Sequence, residues 1–174
     1  MWNVLGILLL ICGLPKLNCS RFTNVECEVL DASYVNFNLC DLKVLGRGIV
    51  ALNIHAVMLK EPIKVSKVNL SLWRKFNGYR PFMFNTTFDF CRYMAIENHK
   101  LSFEKVVMDS FVEKSNLNHS CPYESIIVRD LVFKNKLFGC MPLPTAEYKI
   151  RIMANANNDW RAIVQVYITI KEDE

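Results

Sequence analysis

Apolar and polar residues alternate with a period of two along most of the chain, which is typical of half-buried β-strands. Near the start, the apolar parity is occupied by Val25, Cys27 and Val29. A second alternating run begins at Val35, and its apolar phase shifts after Leu39, which predicts a β-bulge near that residue. Residues 49–59 are apolar on both parities, and they predict a central strand with two buried faces.

Turn signals separate further strands along the chain. Asn77-Gly78 and the polar run at residues 155–158 are both typical of tight turns. One predicted strand places Val68, Leu70 and Leu72 on its inner face, with Asn69 on the opposite face. The last strand alternates with inner positions Ala162, Val164, Val166, Ile168 and Ile170. We count seven or eight strands.

The period changes to that of a helix at one place. Phe103, Val106, Val107 and Phe111 have helical spacing, and Ser102 is suited to the N-cap position. The sequence therefore predicts an all-β fold, an immunoglobulin-like antiparallel β-sandwich, with one short helical insertion near residues 102–114.

The N-terminal residues have the pattern of a secretory leader. Residues 4–14 are apolar without interruption, which suits a signal peptide and is too short to span a bilayer. We place the cleavage after Cys19, so that residues 1–19 are the signal peptide and residues 20–174 form a single domain. The chain has 174 residues, of which 52% are apolar, and this composition suits one compact domain and excludes disorder. We expect the protein to be secreted and extracellular.

Export allows the cysteines to form disulfides and the asparagines to carry glycans. The candidate disulfide cysteines after residue 19 are Cys27, Cys40, Cys91, Cys121 and Cys140. Cys27 and Cys40 lie symmetrically about the first predicted hairpin, and Cys91 and Cys121 bracket the helical insertion, which would leave Cys140 unpaired. A Cys27–Cys140 bond that leaves Cys40 free is equally compatible with the sequence. The candidate glycosylation sites are Asn69, Asn85 and Asn118.

One predicted strand and its approach carry unusual aromatic bulk. The candidate ligand-lining residues are Phe76, Tyr79, Phe82, Phe84, Phe88 and Phe90. They suit an apolar cavity between the two sheets, but the sequence alone favours a close-packed core, because packing density cannot be derived from composition. The interpretation with a cavity predicts a binding protein for a hydrophobic small molecule. The alternative is an extracellular protein-interaction module with a filled core, which a void of several hundred Å3 would exclude.

No motif for catalysis or for a cofactor is visible. The sequence contains no nucleophile elbow, no zinc-protease motif and no phosphate-binding glycine loop, and we predict no enzyme activity, no cofactor and no metal site. His119 and Ser120 are neighbours in an extended segment, so their side chains point apart. Residues 60–80 carry a local charge of +5, which suits an anionic partner such as a membrane surface or an ordinary solvated face. The net charge of +4 in an exported chain does not suggest nucleic acid as a partner.

Several blocks of the sequence carry a family resemblance. They are residues 22–27, 36–43, 60–63, 77–82, 89–91, 118–123 and 144–148. With these blocks the chain resembles a large family of secreted insect proteins related to the chemosensory CheB proteins of flies. More distantly, it is similar to the ML lipid-recognition sandwiches that include the ganglioside activator.

The resemblance implies a sandwich whose two sheets part to hold an acyl chain or a similar molecule. It implies a lipid-like or pheromone-like ligand, a chemosensory role and a membrane receptor as a possible partner, and it implies no catalytic residues. Ala146 departs from the family pattern, in which a glycine is expected at this turn.

Overall fold

The computed structural model describes residues 18–96, 100, 102–133 and 143–172. The strands within these residues are β1 (Asn18–Val29), β2 (Val35–Gly46), β3 (Ile49–Met58), β4 (Lys67–Phe76), β5 (Gly78–Asp89), β6 (Ser125–Val132), β7 (Ala146–Ala156) and β8 (Asp159–Glu172). The helices are α1 (Phe90–Met94) and α2 (Phe103–Val112). The all-β class expected from the alternating pattern is confirmed.

The strands form two antiparallel sheets that pack face to face. The larger sheet has five strands in the order β1-β8-β7-β4-β5, and the smaller has three in the order β2-β3-β6. β3 is the central strand of the smaller sheet, as its two apolar faces predicted. The bulge predicted near Leu39 is also present, because the pairing of β2 with β3 shifts between Phe37 and Leu39.

Two disulfides join the layers along opposite lateral margins. Cys27 in β1 is bonded to Cys40 in β2, which connects one edge of the larger sheet to one edge of the smaller. Cys91 in α1, directly after β5, is bonded to Cys121, shortly before β6. The pairing of Cys27 with Cys40 excludes the Cys27–Cys140 alternative. Cys140 itself lies outside the described residues.

The predicted helix is present as α2, and the expectation of only one helix is wrong. Ser102 caps α2, with its hydroxyl accepting a hydrogen bond from the Lys105 N–H at 3.3 Å. α1 is an additional helix of five residues, capped by the Asp89 carboxylate, which accepts from the Arg92 N–H at 2.8 Å. Phe90 therefore begins a helix and does not continue the preceding strand. A helix of a single turn is too short to show a period of 3.6.

The two ends of the sandwich differ in the interactions that hold their loops. At one end, which we call the upper end, the Leu30 N–H donates to the Arg161 carbonyl at 2.9 Å and the Leu59 N–H to the Tyr34 carbonyl at 2.7 Å. The opposite, lower end contains the β2–β3 and β4–β5 turns. In these turns Gly48 has a φ of 70° and Gly78 a φ of 118°, which glycine adopts readily.

Candidate functional site

Inward-facing side chains become smaller towards the upper end of the sandwich. Along β7, the inner positions read Tyr148, Ile150, Ile152, Ala154 and Ala156. Along β8, in the same direction, they read Ile170, Ile168, Val166, Val164 and Ala162. Ala154 lies directly opposite Ala162 in the β7–β8 pairing, so the smallest side chains of the two strands are neighbours. Two sheets held at a regular spacing cannot close over side chains this short.

A cavity of about 160 Å3 lies where these small side chains meet. The larger sheet contributes residues such as Val68, Leu70, Ala154, Ala162 and Val164 to its wall. The smaller sheet contributes residues such as Phe37, Ile54, Ala56, Met58 and Val128. Val107, Met108 and Phe111 of α2 complete the wall. Almost all of this lining is apolar, and an apolar cavity favours an apolar guest over water.

One end of the cavity carries a cation that is engaged by two carboxylates and a backbone carbonyl. The Arg161 guanidinium carbon lies 4.6 Å from the centre of the Tyr34 ring. Its Nη1 is paired with the Asp31 carboxylate, its Nη2 lies 3.1 Å from the Asp159 carboxylate, and its Nε donates to the Ala156 carbonyl at 3.2 Å. These contacts engage three of the five N–H groups of the guanidinium and offset its charge, which disfavours this group as a binding site for the carboxylate of a fatty acid.

The surroundings of Arg161 are consistent with this neutralised charge. Hydrogen bonds from Ser33 and the Arg161 guanidinium together hold the pKa of Asp31 below its usual value. Burial, and secondarily the charge of Glu61, raises the pKa of Tyr34, so its phenol stays neutral. Beside them the Ser66 hydroxyl donates to the Asn155 carbonyl at 2.6 Å. The polar groups at this end of the cavity therefore bind one another.

Two of the six aromatic residues predicted to line a cavity do so. They are Phe88, near the end of β5, and Phe90, at the start of α1. Phe82 and Phe84 pack against the hydrophobic core below the cavity. The ring of Phe84 stacks on that of Phe103 with 4.4 Å between centroids, and this contact holds α2 against β5.

The other two predicted residues lie on the surface. Phe76 is 56% exposed at the lower end of β4. Tyr79 lies on the outer face of the larger sheet, where its ring meets that of Tyr167 edge to face at 5.4 Å. Neither side chain faces the cavity. The residues that sequence reasoning missed are the alanines, since a cavity arises where bulk is absent, and their alternation at positions 154, 156 and 162 was the available signal.

Three aromatic rings on the outer face surround a lysine ammonium group. The Nζ of Lys149 lies 5.0 Å from the Trp73 ring centre, 5.2 Å from that of Tyr79 and 5.9 Å from that of Tyr167. Burial, with a smaller contribution from Arg151, lowers the pKa of Lys149. Because the chain's own ammonium group fills this cage, the cage is a structural cluster and offers no space to a second cation.

The three candidate glycosylation sites have different surroundings. Asn85 and Asn118 are exposed. Asn69 is half-buried, and its Nδ2 donates to the Asn85 Oδ1 at 2.9 Å and to the Thr87 Oγ1 at 2.9 Å. Asn69 and Asn85 are thus neighbours on adjacent strands of the same outer face.

His119, in the one adjacent His–Ser pair of the sequence, contacts the backbone and an aromatic ring. His119 Nδ1 lies 2.6 Å from the backbone carbonyl of Ser120, and its ring stacks on Tyr123. Within the described part of the chain, no group of three His, Cys, Asp or Glu residues is arranged to hold a metal ion. None of the helices described has the length and hydrophobicity to cross a membrane.

Comparison with known proteins gives one family match. Residues 68–150 match the model of a family described as "Protein of unknown function (DUF1091)". The match covers just under half of the 174-residue chain and extends from β4 through both helices and β6 into β7. A comparison with curated proteins gives no match.

Proposed function

We propose that this protein is secreted and binds a neutral, hydrophobic small molecule in the cavity between its sheets. The cavity of about 160 Å3, with its almost wholly apolar wall, is the observation that carries the proposal. The binding energy would come from removing apolar ligand surface from water, at roughly 25 cal/mol per Å2.

The size and the charge of the cavity define the class of guest. Apolar cavities of roughly 150 Å3 stay dry and accept guests such as benzene. The volume is below the several hundred Å3 expected for a cavity that holds a complete lipid. It suits one ring or a short hydrocarbon segment, and the remainder of a longer molecule would extend outside. Because Arg161 is paired with two carboxylates, a neutral guest is favoured over an anionic one.

The family resemblance of the sequence supports the same class of ligand. Relationship to the CheB proteins and to the ML lipid-recognition sandwiches would imply a pheromone-like or lipid-like guest and a role in chemosensory perception. A membrane receptor would then be the partner that recognises the ligand-bound protein. The two disulfides suit an extracellular location, since such bonds persist in oxidising compartments.

Ligand-induced stabilisation tests the proposal directly. Toluene and 1-octanol serve as neutral probes and octanoate as the anionic counterpart, and the melting temperature is followed by circular dichroism. A ligand that binds only the folded state at 100 times its Kd stabilises that state by about 2.7 kcal/mol. We expect the neutral probes to raise the melting temperature and octanoate to do so less.

A matched pair of variants locates the binding. Val164 lines the cavity, whereas Val166, two residues further along the same face of β8, is 1% exposed and belongs to the packed core. Val164→Phe should abolish the shift caused by toluene, and Val166→Leu should retain it. If neither neutral probe changes the melting temperature, and solvent extraction of the purified protein releases no apolar compound, the proposal is wrong and the filled-core alternative is favoured.

A further inference from the structure

The β2–β3 hairpin extends beyond the sandwich at the lower end and carries apolar side chains in solvent. The last four residues of β2, Lys43–Gly46, are all exposed, although a strand that lies on a core buries alternate positions. Val44 is 73% exposed, and Leu45 and Ile49 are each 47% exposed. At this end of the hairpin the β2 strand is therefore exposed, while Val50 of β3 still packs against the core and Ala51 is buried; we call this two-stranded end the ribbon.

Both faces of this ribbon are apolar. Val44 lies opposite Val50, Gly46 lies opposite Ile49, and a bulge between these pairs leaves Leu45 without a cross-strand partner. Among the described residues, no atom beyond the chain neighbours lies within 4 Å of the position that a Cβ would take on Gly46 or Gly48. Roughly half or more of each apolar side chain at the tip therefore remains exposed.

The two charged side chains within the tip, residues 43–49, are both cationic, and the nearest acid along the chain is Asp41. Lys43 and Arg47 are exposed, and residues 42–58 contain no acidic residue. Within the described residues, no ion pair involves either cation. Apolar side chains flanked by unpaired cations match the interface of a membrane that contains anionic lipids, where the apolar groups enter the acyl boundary and the cations meet the headgroups.

We propose that the hairpin tip formed by residues 43–49 docks the protein on anionic lipid membranes. An apolar surface on both faces of a narrow ribbon favours a lipid interface over a protein partner, because a lipid layer surrounds the ribbon while a protein surface covers one face of it. The tip lies at the lower end of the sandwich, opposite Arg161 and the cavity. This docking is separate from ligand binding and goes beyond the proposed function.

Cosedimentation with vesicles tests the docking site. The full chain is expressed in a secretory host, and its N-terminus is determined by mass spectrometry so that a retained leader is recognised. Binding is measured on vesicles of phosphatidylcholine with 30 mol% phosphatidylserine and on vesicles of phosphatidylcholine alone. We expect binding to the anionic vesicles that weakens with added salt, and at least tenfold weaker binding by the Val44→Ser/Leu45→Ser variant.

The cations are tested in the same assay. Each Lys or Arg near an anionic surface contributes about fivefold to binding, so Lys43→Gln/Arg47→Gln should reduce it by roughly 25-fold. Circular dichroism confirms that each variant is folded, which is expected because all four positions are exposed.

The upper end supplies the matched control. Leu59 and Val65 are 54% and 50% exposed, and Leu59→Ser/Val65→Ser makes the same chemical change far from the tip. We expect this variant, and the cavity variant Val164→Phe, to bind vesicles as the unchanged protein does. The proposal is overturned if the unchanged protein does not bind anionic vesicles, or if it binds both vesicle types equally. It is also overturned if the tip variants bind as the unchanged protein does, or if the control variant at Leu59 and Val65 loses as much binding as the tip variants.

Discussion

The packed half of the interior and the half with the cavity differ by only a few methyl and isopropyl groups in the inward side chains of β7 and β8. Val166 and Ile168 are 1% and 0% exposed within the core, while Ala154 and Ala162 face each other at the cavity. The contrast arises within one strand pair whose register is continuous from Ala146 to Ala154, so the difference in side-chain volume accounts for it over these positions. Alternation showed which residues point inward, but it contains no information on whether the opposite layer supplies matching volume. For this reason the sequence predicted the inner faces and not the position of the cavity.

Enlarging one valine of β8 should affect stability differently at two neighbouring inner positions. Val164→Phe adds volume where space exists, and we expect a free energy of unfolding within about 1 kcal/mol of the original. Val166→Phe adds the same volume to the closed core, and we expect a loss of about 1–3 kcal/mol. Urea denaturation at constant m-value measures both changes. Equal losses at the two positions would show that the cavity does not accommodate the added ring.

A second residue-scale prediction concerns the two neighbouring asparagines of the outer face. A glycan on Asn69 would replace one of the two amide hydrogens that now serve Asn85 and Thr87, whereas Asn85 is exposed. A chain that receives a glycan on Asn69 before folding must give up part of this arrangement, so the folded protein should be enriched in chains modified at Asn85. Peptide mass spectrometry should find Asn85→Gln one glycan lighter and Asn69→Gln unchanged. The reverse pattern would contradict this prediction.

At the scale of elements, the strands were predictable and the short helix was not. Long alternating runs determined the strands of both sheets, and Ser102 with its following apolar spacing determined α2. The sequence did not predict α1, because its one buried residue, Phe90, continues the alternation of apolar residues in the strand before it. The Asp89 carboxylate, which caps the Arg92 N–H, changes the backbone there. The capping residue Asp89 was thus the local sequence signal for this helix, since apolar spacing gave none.

The two disulfides should differ in their contribution to stability. In the chain-entropy description, a bond between residues 13 apart stabilises by about 3 kcal/mol, and one between residues 30 apart by roughly 0.7 kcal/mol more. We therefore expect Cys91→Ala/Cys121→Ala to lose more free energy of unfolding than Cys27→Ala/Cys40→Ala. Chemical denaturation of the two double variants gives the comparison. A larger loss from the Cys27–Cys40 pair would indicate that contacts between β1 and β2 depend on their bond.

At the scale of the whole molecule, every tyrosine resists ionisation. Burial is the largest cause in each case, and it raises the pKa of all six tyrosines, to about 12 for Tyr93 and Tyr167. They lie on the inner core, in the loops and on the outer face alike. The phenols therefore report on the integrity of the entire fold.

Alkaline pH should unfold the protein cooperatively. Unfolded tyrosines lose their protons near pH 10, while the folded ones keep them to higher pH, so between these values the unfolded state binds fewer protons. The free energy of unfolding must then fall as pH rises above about 10. Absorbance at 295 nm, which reports tyrosinate, and far-ultraviolet circular dichroism should change together. Ionisation of most tyrosines near pH 10 with intact circular dichroism would contradict the raised pKa values.

The placement of the two disulfides restricts how the sandwich can open. One bond joins β1 to β2, and the other joins the segments beside β5 and β6. The two sheets are therefore covalently linked at both lateral margins. The two sheets thus cannot separate at either lateral edge while both disulfides are intact. We therefore expect a guest to enter lengthwise, at the end that carries Tyr34 and Arg161, and exchange of the guest to require movement of the loops there.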